Sequence, residues 1–376
     1  MTSVDASPQG EGTADVAVPS SAPAVRLDSL TGLRFVAAFL VFGFHVQGIH
    51  LADDGPVGPV LRFLFRQGSS GVTFFFILSG FVLAWSARPG EGARRFWQRR
   101  LARIYPNHAV TLICAAFVAV ASGTAVTAAI LIPNVLLLQA WSTNPDVYFG
   151  LNTVSWSLSC EAFFYALFPL LYRALIALPR RHLWTAAVVA LCLVWTVPLV
   201  VQLVNGRPSY WAVWLFPLAR TPEFLAGMVL ARIVREGRWP GRVLGVWPMA
   251  GLAIGVYLLS WWTPEPVKHV AVPAIPFALL IAAVGAADAT GPGTVFRARW
   301  AVFLGEISFA FYMVHQLVLR VVTFMTGVHR PLGVELGIAG VTVGLAVLAS
   351  WLLHRLVETP AMRALSPRRT VARTIA

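Results

Sequence analysis

The chain has 376 residues, 57% of them hydrophobic and only 12% charged, and apolar stretches of bilayer-spanning length recur from end to end. That composition excludes a soluble α/β enzyme. The formal charge of +13 does not indicate nucleic acid, because the basic residues are dispersed between apolar stretches instead of gathered on one polar domain.

Residues 1–25 contain Ala, Ser, Pro and Gly with three acids and no arginine, too polar to bury a core, and are expected to form a disordered tail. They lack the positive start and apolar run of a signal peptide. A membrane domain is expected over 26–362, followed by a basic tail at 363–376. Spans are expected near 33–51, 70–87, 108–124, 157–176, 183–204, 211–231, 243–262, 270–287, 302–325 and 335–354. With the amino terminus inside, 21 basic residues fall in cytoplasmic segments, against 5 outside: Arg62, Arg66, Arg207, Lys268 and Arg330. The expected fold is therefore an all-α polytopic bundle of about ten transmembrane helices in the cell membrane, both termini cytoplasmic. The segment 126–141, interrupted by Pro133 and Asn134, is left open between a span, a re-entrant piece and a surface segment. Cys114, Cys160 and Cys192 fall in or beside spans and imply no disulfide framework. No metal-ligand spacing is visible.

The first span carries Arg34 and His45, eleven residues apart and therefore on one helix face, separated along the axis by roughly 16 Å. An arginine in hydrocarbon costs at least ~2.5 kcal/mol, so both are expected to face a protein or water-filled interior. In the second span, FFFILSGF places Ser79 and Gly80 where a helix or a thin ligand can approach closely. The following loop sets Arg95, Arg99 and Arg103 at helical spacing, backed by Arg94 and Arg100. An anionic ligand and lipid headgroups both fit that stripe.

Counting along the fourth span puts Glu161 at about the depth of His45, so the two are expected to share a pocket. A carboxylate beside an imidazole suits general-base chemistry, and two unrelated packing residues are the plainer alternative. Cys160 reads as a small hydrophobe. The sixth span holds Arg220 and Glu223, an opposite-charge pair that most simply neutralises itself. In the ninth, Ser308, Tyr312 and His315 share a face. His315 suits acceptor binding or proton carriage, or belongs to a polar stripe that holds helices together.

Arg34 with His45, FFFILSGF, RRLARIYP, WSLSCE, FYMVHQ and the ETP of Glu358 to Pro360 follow one another in an order that resembles the acyltransferase-3 family of integral membrane O-acyltransferases, from Arg26 to Pro360. The resemblance implies ten spans, O-acylation of sugars, antibiotics or lipids, and an acyl-CoA donor substrate on the cytoplasmic side; the expected acceptor is a hydroxyl of a sugar, glycoside or secondary metabolite, and no metal is expected. It also matches Arg34 and His45 to the family's first-span pair and Arg100 with Arg103 to its cytoplasmic arginine motif. The opening SLTGLRFVAAFLVF is similar to stand-alone members that tailor macrolides, whereas Phe35 stands where many relatives have Gly. On this reading Arg34, Arg99, Arg100 and Arg103 hold CoA, and His45 assisted by Glu161 deprotonates the acceptor. Ser79, Tyr312 and His315 are candidates for substrate or oxyanion contact. The expected partners are acyl-CoA, the acceptor and membrane lipids, with no nucleic acid and the oligomeric state open. The rival class is a transporter or exporter of an anionic or glycosylated solute, using the same buried charges as a pathway.

Overall fold

The computed structural model describes residues 25–47, 57–87, 90–205, 209–291, 293–327 and 332–365. The tails expected at 1–25 and 363–376 lie outside the described residues except for Val25 and Arg363 to Leu365. In chain order the helices are α1 (Asp28–Gln47), α2 (Val57–Phe65), α3 (Gly71–Ser86), α4 (Ala93–Ala121), α5 (Ala128–Val135), α6 (Pro145–Tyr148), α7 (Trp156–Ala177) and α8 (Leu183–Asn205). They continue with α9 (Pro217–Arg235), α10 (Val246–Leu259), α11 (Glu265–Lys268), α12 (Ala271–Thr290), α13 (Arg299–Thr326), α14 (Leu332–Leu353) and α15 (Thr359–Leu365). No strand occurs among the described residues, as expected of an all-α membrane protein.

Among the described residues, eight helical segments are long and apolar enough to cross a membrane: α1, the α2–α3 run, α4, α7 with the turn before it, α8 with the turn before it, α12, α13, and the α14–α15 run. The sixth and seventh expected spans correspond to α9 and α10. The first has 19 residues but carries Arg220, Glu223, Arg232 and Arg235, and the second is apolar but has only 14 residues, ~21 Å.

The bundle is assembled at positions where helices touch backbone to backbone. A Cβ on Gly80 of α3 would run into the Phe224 carbonyl of α9, and one on Gly227 of α9 would run into the Ile77 carbonyl of α3. The same happens between α1 and α13, where Gly305 meets the Thr31 carbonyl. In lipid, helix association depends on such close packing, since water provides no drive within the hydrocarbon. Asp288 of α12 sets the start of α1: its Oδ2 accepts the Ser29 and Leu30 amides at 2.8 and 3.3 Å, satisfying N–H groups that have no partner within the helix.

The segment 126–141 is not a span. Its helix, α5, has eight residues, ~12 Å, and the chain from there to α7 continues as α6 and two 3-10 turns, Gln139–Trp141 and Thr153–Ser155. Non-helical backbone is tolerated at membrane depth only where protein satisfies it. Here Asn134 donates to the Ile130 and Val147 carbonyls, Gln139 to that of Ser155, Asn152 to that of Met313, and Arg320 to that of Leu151. Leu137 and Leu151, both buried, take left-handed φ values of 56° and 57° at its corners. The Asn152–Met313 bond is 3.0 Å long and ties this segment to the middle of α13, so α7 begins inside the bundle.

The α3–α9 crossing makes a direct prediction. Gly227→Leu should abolish monodisperse protein in size-exclusion chromatography, because the clash is with backbone and exceeds the ~1–3 kcal/mol typical of overpacking. Gly251→Leu, where an added Cβ meets no neighbour, should leave the yield unchanged.

Candidate active site

A cavity of about 560 Å³ runs from Arg26, Glu306 and Met362 inward to Ser157 and Tyr312. Arg26 and Glu306 are exposed and 3.9 Å apart, and they mark its mouth. Five helices contribute the chemistry of its wall: Arg34 from α1, Ser79 from α3, Arg100 and Arg103 from α4, Glu161 and Tyr165 from α7, and Tyr312 from α13. Glu358, in the turn between α14 and α15, completes it.

The charges in the wall do not cancel. Glu161 and Glu358 act on Arg34 through space, and Glu161 on Arg100, so within this wall the three guanidinium groups of Arg34, Arg100 and Arg103 share the field of two carboxylates. Each carboxylate is held: Tyr165 donates its hydroxyl to Glu161 at 2.8 Å, and Asn107 donates its amide to Glu358 at 2.8 Å. His354 Nδ1 stands 3.4 Å from the same Glu358 carboxylate. The excess positive charge lies inside a low-dielectric wall and suits an anionic ligand with several acceptor oxygens. Arg99 is not in the wall. One turn nearer the start of α4 than Arg103, it reaches back to pair with Glu91.

His45 and Glu161 do not form the expected pair. Glu161 sits among the arginines, while His45 meets His315. Glu161 does not enter from the far membrane surface: α7 starts at the level of Tyr312 and Met313, where the Ser157 and Tyr312 hydroxyls lie 2.9 Å apart. Five residues into α7, Glu161 therefore lies level with Arg34. The parallel run of α1 and α13 instead brings His45 Nδ1 within 3.1 Å of His315 Nε2.

That contact determines the tautomers. His315 Nδ1 is 3.2 Å from the Phe311 carbonyl and must donate to it, so its Nε2 accepts from His45 Nδ1–H, which also faces the Val41 carbonyl at 2.9 Å. His45 Nε2 is left as the lone-pair nitrogen of the pair. The His315 ring is packed among Phe42, Phe311 and Tyr312, and the half-buried His45 ring meets Phe44 edge-on. They do not line the cavity, whose wall ends at Tyr312, one helical turn short of His315.

Other candidates are positioned as follows. Arg220 and Glu223, 2% and 1% exposed, pair at 2.7 Å, with Thr73 accepting a further bond from the guanidinium and Phe76 beneath it. This is a self-neutralised pair outside the cavity wall. Cys160 is buried and donates its thiol to the Leu215 carbonyl. Sequence reasoning did not find Asn107, Tyr165 or Arg320. Glu358 was visible only as part of the ETP motif, with no sign that it faces Arg34.

A family model described as an acyltransferase domain matches residues 27–355. The chain is 40% identical over 375 residues, 93% of this chain and 95% of the relative, to Acyltransferase MdmB of Streptomyces mycarofaciens. It is 24% identical over 318 residues, 82% of this chain and 94% of the relative, to exopolysaccharide production protein ExoZ of Rhizobium meliloti strain 1021. No solved structure matches. The chain belongs to the acyltransferase-3 family and is a multi-pass membrane acyltransferase.

Proposed function

We propose that this acyltransferase moves a short acyl group from acyl-CoA to a hydroxyl of a sugar, glycoside or other secondary metabolite. The observation that carries the proposal is a cavity with excess guanidinium charge whose inner end lies directly beneath a histidine pair. Arg100 and Arg103 take the CoA phosphates by charge-assisted bonds, and the pantetheine arm extends past Arg34 toward Tyr312. His45 Nε2 removes the acceptor's hydroxyl proton, and the oxygen attacks the thioester carbonyl. The tetrahedral oxyanion is stabilised by a donor at the inner wall, Arg34 or Tyr312. On collapse the C–S bond breaks, and CoA leaves as the thiol with the proton carried by His45. His315, accepting from His45 Nδ1–H, orients the base, and Glu161 limits the repulsion among the three arginines. A 40% identical relative named as an acyltransferase supports the reaction class.

The distribution of 21 basic residues against 5 supports a cytoplasmic mouth. On that orientation α9 and α10 complete ten crossings and both termini are cytoplasmic. In a background lacking Cys114 and Cys192, Gln98→Cys should react with an impermeant maleimide only from the cytoplasmic side, and Trp262→Cys only from outside. Labelling of both from one side would overturn the ten-span arrangement.

His45→Ala should lower kcat by ~10²- to 10⁴-fold while the protein stays folded in the membrane. Near wild-type turnover would remove His45 as the base. Purified protein should consume acyl-CoA only when acceptor is present, which a transporter does not do.

Arg100→Ala and Arg103→Ala should each raise the acyl-CoA KM by about tenfold or more, the scale of a lost bond to a charged group, with the acceptor KM unchanged. Glu161→Gln should likewise act on the donor KM and leave the acid limb of the pH–rate profile in place, since Glu161 does not contact His45. Movement of that limb would return Glu161 to the base.

A further inference from the structure

At the end of the bundle away from the arginine-lined mouth, the turn between α2 and α3 brings a serine to a histidine. Ser69 Oγ lies 2.9 Å from His269 Nδ1, and His269 Nε2 lies 3.7 Å from Glu265 Oε2. The other oxygen of Glu265 accepts from Lys268 Nζ at 2.8 Å, which holds the carboxylate toward the imidazole. Phe44 and Trp214 frame the ring edge-on. The turn that carries Ser69, Gly68–Ser70, is pressed onto α1: an added Cβ on Gly68 or Gly71 would collide with the Leu40 or Ala37 carbonyl. Ser69 is thus presented on a backbone that has little freedom to move.

Three neighbouring polar groups have no hydrogen-bond partner among the described residues although they are buried: both amide atoms of Gln67, the Ser70 hydroxyl and the Trp214 indole N–H. Gln67 and Ser70 flank Ser69 in the chain, and Trp214 is packed against His269. Buried donors without partners are unusual in a folded protein and suit a ligand with acceptor oxygens. Burial also lowers the His269 pKa, leaving a neutral imidazole able to accept a proton.

We propose that Ser69, His269 and Glu265 form a nucleophile, base and orienting carboxylate that hydrolyse small carboxylic esters at a site separate from the acyl-transfer cavity. Ser69 Oγ attacks the ester carbonyl, His269 Nδ1 takes the hydroxyl proton, and the C–O bond to the alcohol breaks as His269 returns that proton to the departing oxygen. Water then attacks the acyl-serine. His269 takes its proton and gives it back to Ser69 as the carboxylic acid leaves. Ester and water become alcohol and acid, with no other reactant.

The test uses the full-length protein in nanodiscs with p-nitrophenyl acetate and a fluorophosphonate probe. Wild type should release p-nitrophenolate and carry the phosphonate adduct on the peptide containing Ser69. Ser69→Ala should lose the adduct and at least ~10²-fold in hydrolysis while retaining acyl transfer. Glu265 is a positioning residue: its charge raises the His269 pKa, whereas Lys268 and Arg66 lower it. Glu265→Gln should therefore move the acid limb of the hydrolysis profile to lower pH, and an unmoved limb would exclude Glu265 from the triad. A wild-type protein that is active in acyl transfer but unlabelled at Ser69, or a Ser69→Ala variant that hydrolyses ester at the wild-type rate, would overturn the proposal.

Discussion

The close approach of α1 to α13 is the constraint on which the site depends. In hydrocarbon two apolar helices gain little from leaving lipid for each other, so their association rests on dispersion contacts that reach full strength only when backbones nearly touch. Gly305 against the Thr31 carbonyl permits that approach near one end of the pair, and Gly32 meets the Phe296 carbonyl in the turn that leads into α13. Once the two helices run parallel in this register, His45 must meet His315 farther along. Arg34, two residues beyond Gly32, is turned toward the cavity.

Charge is handled in two ways in this bundle. Arg220 finds its counterion three residues along its own helix, and the pair closes on itself with Thr73 and the Phe76 ring. Such a pair demands nothing from the rest of the fold beyond exclusion of water. Arg34 finds its opposite charges on α7 and beside α15, and Arg100 and Arg103 join them from α4, so neutralisation requires four distant parts of the chain to converge. The convergence is incomplete by one positive charge, and the cavity lies where that excess stands. An uncompensated guanidinium group is costly in a purely structural core and useful where an anionic substrate completes the balance.

The irregular chain between α4 and α7 determines the depth of the chemistry. A continuous span there would have returned the chain to the membrane surface before α7 began. The short helices and the two left-handed leucines keep it inside, tied to α13 through Asn152 and Arg320. Ser157, Glu161 and Tyr165 then project from successive turns of α7 at the levels of Tyr312 and Arg34. The backbone carbonyls of this segment are satisfied by amide and guanidinium side chains, the arrangement required of non-helical backbone at that depth.

Hydropathy and charge alone established a helical membrane protein, because spans of apolar residues and arginine-rich loops have no other economical structure in water or lipid. The eleven-residue spacing of Arg34 and His45 likewise assigned them to one face, since helical period is a local property. The order of short motifs carried the family. Tertiary structure decided which partners those residues have. Counting from a membrane surface pairs Glu161 with His45, but a side chain's depth depends on where its helix begins, and that depends on the path of the preceding backbone. Arg99 shared a periodic stripe with Arg103, yet periodicity does not say which turn of the stripe reaches the cavity and which reaches back to Glu91. The contacts of His45 with His315 and of Glu358 with Asn107 join residues more than 200 positions apart, and only the packing of the bundle brings them together.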